Sequence, residues 1–415
     1  MRGHVARKGK RYYPVIDLGM RPAQRCTECG RRAGWLDQDR FARCPRCAGA
    51  LTQRDERRQQ WHEGHDRKKD AERALNELLS KREEGMYVEP SKQTLLGYLT
   101  GEWLPSIRST VRPSTLLSYS GHVEHHIGPR IGSLPLQKLT PSAINSLYAT
   151  LLHEGRADRT GGLSPATVRR IHATLHRALK DAVRWNKIAR NPADSADPPS
   201  QVTDHDRGLQ TWTAPELRSF LTTTAPDRLG SLWHVLASTG VRRGEVLGLR
   251  WQDVDLDAGR LAIRQTLITI GYELKFSSPK TKRSTRQIAI DPGTVAVLRS
   301  HRARQLEERM AWGPAYTESG LVFTREDGSP IHPDRVSKMF NSIVEKIGLP
   351  RIRLHDLRHT HATLALQAGI HPKVVSERLG HATVSITLDT YSHVIPAMQE
   401  DAADRVASLV FGDGQ

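Results

Sequence analysis

The chain has 415 residues, a formal net charge of +17 and a pI near 10, enough length for two to four domains and enough positive charge to expect a polyanionic partner, usually nucleic acid. No apolar run approaches the roughly 18 residues of a membrane span. The basic start MRGHVARKGKRYY also lacks the apolar stretch of a signal peptide. These features exclude a membrane protein and lead to the expectation of a soluble, cytoplasmic one. Because the basic residues are spread along the chain, several DNA-contacting surfaces are expected rather than one basic tail.

Residues 1–88 form the first region. GHVARKGKRYYPVIDLG reads as a hairpin turning at Lys-Gly-Lys. All four cysteines follow as two C-x2-C units, Cys26/Cys29 and Cys44/Cys47, separated by 14 residues. Paired thiolates at this spacing can close a tetrahedral zinc site. The alternatives are two disulfides, disfavoured in a reducing cytosol, or four unrelated thiols, against which stands the clustering of every cysteine into two C-x2-C units. With four protein ligands no coordination position stays open, so the zinc is expected to be structural. A charged helix is expected from about Asp66 to Glu84, with Ala71, Ala74, Leu75, Leu78 and Leu79 as its apolar stripe.

Residues 90–195 read as all helix. One helix is expected over Thr94–Leu104, ending at Pro105, and a second from Pro113. Thr140-Pro141 starts a third, and Ser164-Pro165 a fourth that carries Val168, Ile171, Leu175, Leu179, Val183 and Trp185 at helical spacing. A Pro/Asp/Ser-rich stretch, taken as a linker over 196–207, marks the next boundary.

The region 208–400 opens with Thr213-Ala-Pro-Glu216, the pattern of a capping box. Between Gly259 and Ile290 the period becomes alternating, with Leu261, Ile263 and Leu267 on one side. Lys280 is thereby placed in a turn or strand end of a small antiparallel sheet. Helices resume after Arg353, and the tail 401–415 continues a further expected helix. The fold class expected is mainly α with small antiparallel β-sheets, an α+β multidomain chain.

Six residues carry candidate chemistry: Arg242, Lys280, His355, Arg358, His381 and Tyr391. A tyrosine supplies an oxygen nucleophile, arginine forks bind phosphate oxygens bidentately, and lysine or histidine moves protons. Such a set suits cutting a phosphodiester without a metal. Arg242 stands before Gly244-Glu245 at the start of an apolar-periodic helix, Val246 to Trp251, where Glu245 could orient its guanidinium. Arginines at helix starts are, however, commonly just solvated. His355 and Arg358 share a helix face at i, i+3, but His359 and His361 compete with His355. Lys282 competes with Lys280. His381 follows Leu379-Gly380, a helix C-cap pattern. Tyr391 lies in a Thr/Asp/Ser-rich stretch, which argues against a core position.

From Thr239 to Val394 the chain resembles the catalytic domain of the tyrosine recombinases, the phage and mobile-element integrase family. The motifs TGVRRGE, SPKTKRSTR, HDLRHTHAT, LGH and the Tyr391 block occur in the family's order and spacing. Residues 90–195 resemble its helical, SAM-like core-binding domain, and the N-terminal hairpin and helix resemble the arm-binding domain of larger integrases. The zinc-knuckle insertion departs from the plainer form of that domain. The resemblance implies Tyr391 as the nucleophile forming a 3′-phosphotyrosyl link, and Arg242 and Arg358 holding the non-bridging oxygens. It implies Lys280 as general acid, His355 assisting proton transfer at the tyrosine, and His381 donating a hydrogen bond to the phosphate. No catalytic cofactor is expected. The implied partners are double-stranded DNA attachment sites, a homo-tetramer on DNA that passes through a Holliday junction, and an accessory DNA-bending or directionality factor. The near-helical spacing of Ala402, Ala403, Val406, Leu409 and Val410 in the tail Met398–Phe411 leads to the expectation of a helix that packs into a neighbouring protomer, with folding back on its own domain as the alternative.

Other readings share part of this pattern. A type IB topoisomerase uses the same phosphotyrosine chemistry, but a separate N-terminal module favours a recombinase. A non-catalytic, zinc-containing DNA-binding regulator would tolerate loss of Tyr391. A metal nuclease lacks support, because no Asp/Glu cluster lies near the basic motifs.

Overall fold

The computed structural model describes residues 3–36, 40–83, 88–156, 160–200, 210–277 and 285–391, with 408 and 410 beyond them. Lys280, all but residues 408 and 410 of the 401–415 tail, and most of the 196–207 linker lie outside the described residues. The chain divides into two compact units, residues 1–107 with 119–199, and residues 108–118 with 200–415.

In the first unit, a four-stranded antiparallel sheet is organised by the 16-residue strand β2 (Arg11–Cys26). Strand β1 (Gly3–Lys8) pairs with its first half, β3 (Arg32–Trp35) with its second, and β4 (Leu51–Trp61) runs beside nearly its whole length. The Lys-Gly-Lys turn falls where the hairpin reading put it, between Lys8 and Arg11. The Lys68–Glu83 helix lays Ala71 and Leu75 on β1 and β2 and faces Lys68, Lys69, Asp70, Glu72, Arg73 and Glu77 outward.

Helix starts in the rest of this unit follow their cap residues. The Thr140 side chain accepts the Ala143 N–H ahead of the Pro141–Glu154 helix, and Ser164 accepts the Thr167 N–H ahead of the Pro165–Arg184 helix. The long helix buries Val168, Ile171, Leu175 and Leu179 completely, each side chain contributing about 1.5–3 kcal/mol to stability. One helix departs from expectation. Chain beginning at Leu95 does not stop at Pro105. It widens into a π-turn over Leu99–Trp103 and continues as Leu104–Ile107. The wide turn shifts the hydrogen-bond register just before a residue that has no N–H, so the proline is carried rather than excluded.

The second unit begins with the expected capping box. The Thr213 N–H donates to Glu216 Oε2 at 2.7 Å, and the Ala214–Thr224 helix follows. Its core packs Trp212, Phe220, Trp233 and Phe340 with ring centroids 5.1–6.2 Å apart. Trp212 also donates from Nε1 to Pro350 O and from its backbone to Thr360 Oγ1, which ties the entry of the unit to the Asp356–Gln367 helix. A three-stranded sheet pairs β5 (Val254–Asp255), β6 (Arg260–Ile263) and β9 (Arg286–Ala289), while β7 (Thr266–Ile270) and β8 (Glu273–Ser277) form a hairpin. Leu261, Ile263 and Leu267 are buried, as their alternation predicts. Strand β8 ends at Ser277 and β9 resumes at Arg286, so these two strands flank the segment that contains Lys280. Among the described residues, no helix is long and apolar enough to cross a membrane.

Candidate active site and metal centre

Five of the six chemically competent residues lie among the described ones, at the ends of short elements of the second unit. Arg242 is the N-cap of the Arg243–Leu247 helix, which is shorter than the Val246–Trp251 periodicity suggests because Gly248 closes it and Trp251 opens a 3-10 turn. The Arg242 backbone N–H donates to Glu245 Oε2 at 3.0 Å, and its guanidinium donates to Glu245 Oε1 at 2.8 Å. Glu245 therefore orients the arginine, as its position suggests. A second cation on this carboxylate, Arg286, has no counterpart in the sequence reading. Its Nη2 donates to Glu245 Oε2 at 2.9 Å and its Nε to Arg378 O at 2.7 Å. Burial alone would raise the Glu245 pKa, but Arg286 and Arg242 outweigh it and hold the carboxyl below its ordinary value.

Arg358 is almost fully buried in the Asp356–Gln367 helix. Its Nη1 donates to Gly240 O at 2.8 Å and its Nη2 to Leu379 O at 2.7 Å. The guanidinium thus ties the loop leading to Arg242 to the one leading to His381. Two of its five N–H donors go to these carbonyls. Its pKa is pushed down to about 9, first by burial and then by the charge of Arg242. Cations crowded together in this way repel, and an incoming phosphate relieves the repulsion.

The histidines sort into different roles. His355 caps the helix of Arg358, its outer edge exposed and its ring set edge-on against His359 at 5.3 Å. His381, just past the left-handed Gly380, engages Thr387 Oγ1 through Nδ1 at 2.8 Å. Both are pushed down to about 4 by desolvation, then by charged neighbours: His359 and Arg358 for His355, Arg358 and Arg242 for His381. Both are therefore neutral at physiological pH. His361 points elsewhere and meets Ala237 O at 3.0 Å.

Tyr391 closes the Val384–Tyr391 helix and is 1 % exposed, packed with Ala362, Ala365, Leu366, Val375 and Leu379. This corrects the expectation of a non-core position. The polar letters Thr, Asp and Ser around it describe the outer face of a short helix, while Tyr391 and Thr387, four residues apart, share the inner one. Burial pushes its phenol up to about 12, with Arg358 pulling the other way. Its Oη lies 2.9 Å from Nδ1 of His359, a partner the sequence left undistinguished among neighbouring histidines.

Residues 211–398 match the phage integrase family, and residues 95–152 match the phage integrase N-terminal SAM-like domain, together more than half of the chain. The chain belongs to the phage integrase family of tyrosine recombinases. A XerC-like tyrosine recombinase of Caldanaerobacter subterraneus is 29% identical over 359 residues, covering 82% of this chain and 90% of the relative. The ICEBs1 integrase of Bacillus subtilis is 26% identical over 310 residues, covering 74% and 81%. Among solved structures, the Tn1549 transposon integrase in complex with a circular intermediate DNA superposes with a TM-score of 0.61 at 22% identity, over 75% of this chain and 99% of that one, a likeness of fold. A cleft of about 440 Å³ elsewhere in the second unit, lined by Trp233, Trp312 and Met339 among others, holds none of the five described candidate residues. Those five come instead from several helix ends and the turns beside them.

In the first unit, the sulfur atoms of Cys26, Cys29, Cys44 and Cys47 all lie within 4.8 Å of one another, and none is in a disulfide. Tetrahedral zinc with bonds of about 2.3 Å sets its sulfurs about 3.8 Å apart. The Cys29–Cys44 separation is 3.8 Å and the Cys26–Cys47 separation 3.4 Å, so the donor set fits. The two knuckles match in backbone as well. The residue after each second cysteine is left-handed, Gly30 at φ 68° and Ala48 at φ 58°. For alanine that conformation costs about 1–2 kcal/mol, so the turn is held by its surroundings. Backbone N–H groups of Arg46 and Cys47 pull the Cys44 thiol down to about 7, while at Cys47 the bond from Gly49 is outweighed by the surrounding thiols, which push it up to about 12, so within the cluster Cys44 gives up its proton first.

Proposed function

We propose that this chain is a site-specific integrase that cuts and rejoins DNA at paired attachment sites, integrating or excising a phage or mobile element. The single observation that carries the reading is the convergence of Arg242, Arg358, His381 and Tyr391. Arg358 is bonded to the loops on both sides, and the phenol lies within its field. In this reading Tyr391 Oη attacks the scissile phosphorus, forms a 3′-phosphotyrosyl ester and releases a 5′ oxygen. Arg242 and Arg358 neutralise the non-bridging oxygens as charge develops. Lys280 protonates the leaving oxygen, His381 donates to the phosphate, and His355 assists proton movement beside the nucleophile. The ester conserves bond energy, so rejoining needs no further energy source.

The wider assignments are part of the same proposal. The first region, 1–88, is an arm-type DNA-binding module stapled by structural zinc on Cys26, Cys29, Cys44 and Cys47. Residues 90–195 bind the core site, 196–207 link, and 208–400 carry out strand exchange. Four protomers on paired duplexes pass through a Holliday junction with an accessory DNA-bending or directionality factor, in the cytoplasm where the DNA lies. Relatives that are themselves integrases, one of a transposon and bound to its circular intermediate, support the mobile-element setting. A two-plasmid assay tests it, using candidate sites from the DNA flanking the gene. Sequenced junctions at one fixed position support the integrase reading. Relaxation of supercoils without joined junctions contradicts it.

A further inference from the structure

The contact that calls for explanation is the one at the nucleophile itself. Tyr391 Oη is 2.9 Å from His359 Nδ1, with the rings tilted and their centroids 5.8 Å apart. The histidines of the recombinase motif are engaged differently. The Nδ1 of His381 is taken by Thr387, and His355 presents its ring to His359 rather than bonding the phenol. Because burial raises the phenol's pKa to about 12, Tyr391 keeps its proton at neutral pH. An attacking phenol must hand that proton to a neighbour in the transition state.

Resting on the assignment of Tyr391 as nucleophile, we propose that His359 is a catalytic residue that accepts the Tyr391 proton during cleavage and returns it during rejoining. The step balances as follows. The Oη–H bond breaks as Oη bonds to phosphorus, and the proton passes to Nδ1 of His359, in the tautomer whose Nδ1 accepts the phenol's hydrogen bond. The bond from phosphorus to the 5′ oxygen breaks, and that oxygen takes a proton from Lys280. In rejoining, the 5′ hydroxyl attacks phosphorus and returns its proton to Lys280, the bond from phosphorus to Oη breaks, and His359 gives its proton back to Oη. The surroundings suit this role. His355, edge-on to His359, is neutral at physiological pH and sets no like charge against the imidazolium as it forms. The sequential distance of one residue from Arg358 holds His359 on the same helix as the phosphate-binding fork.

The test is single-turnover formation of the covalent adduct on a nicked attachment-site duplex. His359→Asn keeps a hydrogen-bonding atom near the position of Nδ1 but cannot take up a proton. Its adduct should form about 100-fold more slowly or worse at pH 7, with duplex binding by gel shift unchanged. Its rate should keep climbing with pH where the wild type levels off. Placing 3,5-difluorotyrosine at position 391 lowers the phenol's pKa, and should restore His359→Asn at least tenfold while changing the wild type little. Two results overturn the proposal: a His359→Asn rate within about threefold of wild type with the same pH profile, or a slow variant that the fluorinated phenol does not rescue. Tyr391→Phe separates the two readings. An adduct from that variant sinks the nucleophile assignment itself, whereas its absence beside a fully active His359→Asn sinks only the proton assignment.

Discussion

Arg358 has the most constrained side chain of the site, because its guanidinium spans two backbone carbonyls from different loops. A lysine has one compact ammonium and cannot span both while presenting further donors to a phosphate. Arg358→Lys should lower the rate of adduct formation about 10²–10³-fold while leaving duplex binding nearly intact, read by quench-flow and gel shift. Glu245 works from the opposite side of the same network. Replacing it with alanine strands the buried Arg286 without its carboxylate, and Glu245→Ala should cost about 3–5 kcal/mol in denaturant unfolding. The buried histidines add a pH dependence. His361 is held near 4 by burial, against an ordinary 6.5, so between those values the unfolded chain binds a proton that the folded one refuses. Its contribution is full above pH 6.5 and is lost as pH falls toward 4. The melting temperature should therefore drop across that window, and His361→Gln should flatten the drop. A melting temperature that stays level from pH 6.5 to 4 in the wild type would contradict this.

At the scale of elements, the turns and caps position the chemistry. Gly240 ends the Gly230–Thr239 helix at φ 64°, and a Cβ there would sit 2.7 Å from Leu379 and 2.8 Å from His361. Gly240→Ala should thus strain the backbone and push on the carbonyl that holds Arg358. A loss of cleavage larger than the loss of melting temperature is the expected outcome. The cysteine knuckles are a second case. Metal analysis should find one zinc per chain. Chelation, or Cys44→Ser, should abolish a separate low-temperature step in calorimetry and weaken binding at sites distant from the point of cleavage. Core-duplex cleavage should survive, since a four-thiolate site leaves no position open for chemistry. Much of this level was legible in the sequence. Thr140-Pro141, Ser164-Pro165 and Thr213 with Glu216 are local signals whose hydrogen bonds close within one turn, and each cap formed where its letters stood. What local letters missed depended on contacts between distant segments. The π-turn before Pro105, the burial of Tyr391 and the bond from Arg286 to Glu245 each answer to packing that no short window contains.

Across the whole molecule, charge and chemistry divide the work. A net charge of +17 spread along the chain supplies affinity for the DNA backbone through release of counterions. If six or more phosphates are neutralised, binding to any duplex should weaken about 10³-fold or more between 50 and 200 mM salt. A shallow salt slope would deny that role to the distributed charge. The candidate set was drawn at this scale only from the order and spacing of whole motifs. Residue types alone could not separate Lys280 from Lys282 or His355 from His359, because a solvated lysine and a catalytic one look alike in isolation. What sets His359 apart from its neighbours is a contact between distant segments, its Nδ1 at 2.9 Å from Tyr391 Oη.

Everything in this account passes through one oxygen atom, Tyr391 Oη. The most direct measurement is covalent capture. Wild type and Tyr391→Phe are each incubated with a nicked attachment-site duplex, denatured and resolved for protein–DNA adducts, with binding confirmed separately. The account predicts a denaturant-resistant adduct from wild type, joined through the 3′ phosphate, and none from Tyr391→Phe. Equal binding by both proteins with an adduct from neither, or an adduct that survives the substitution, would contradict it.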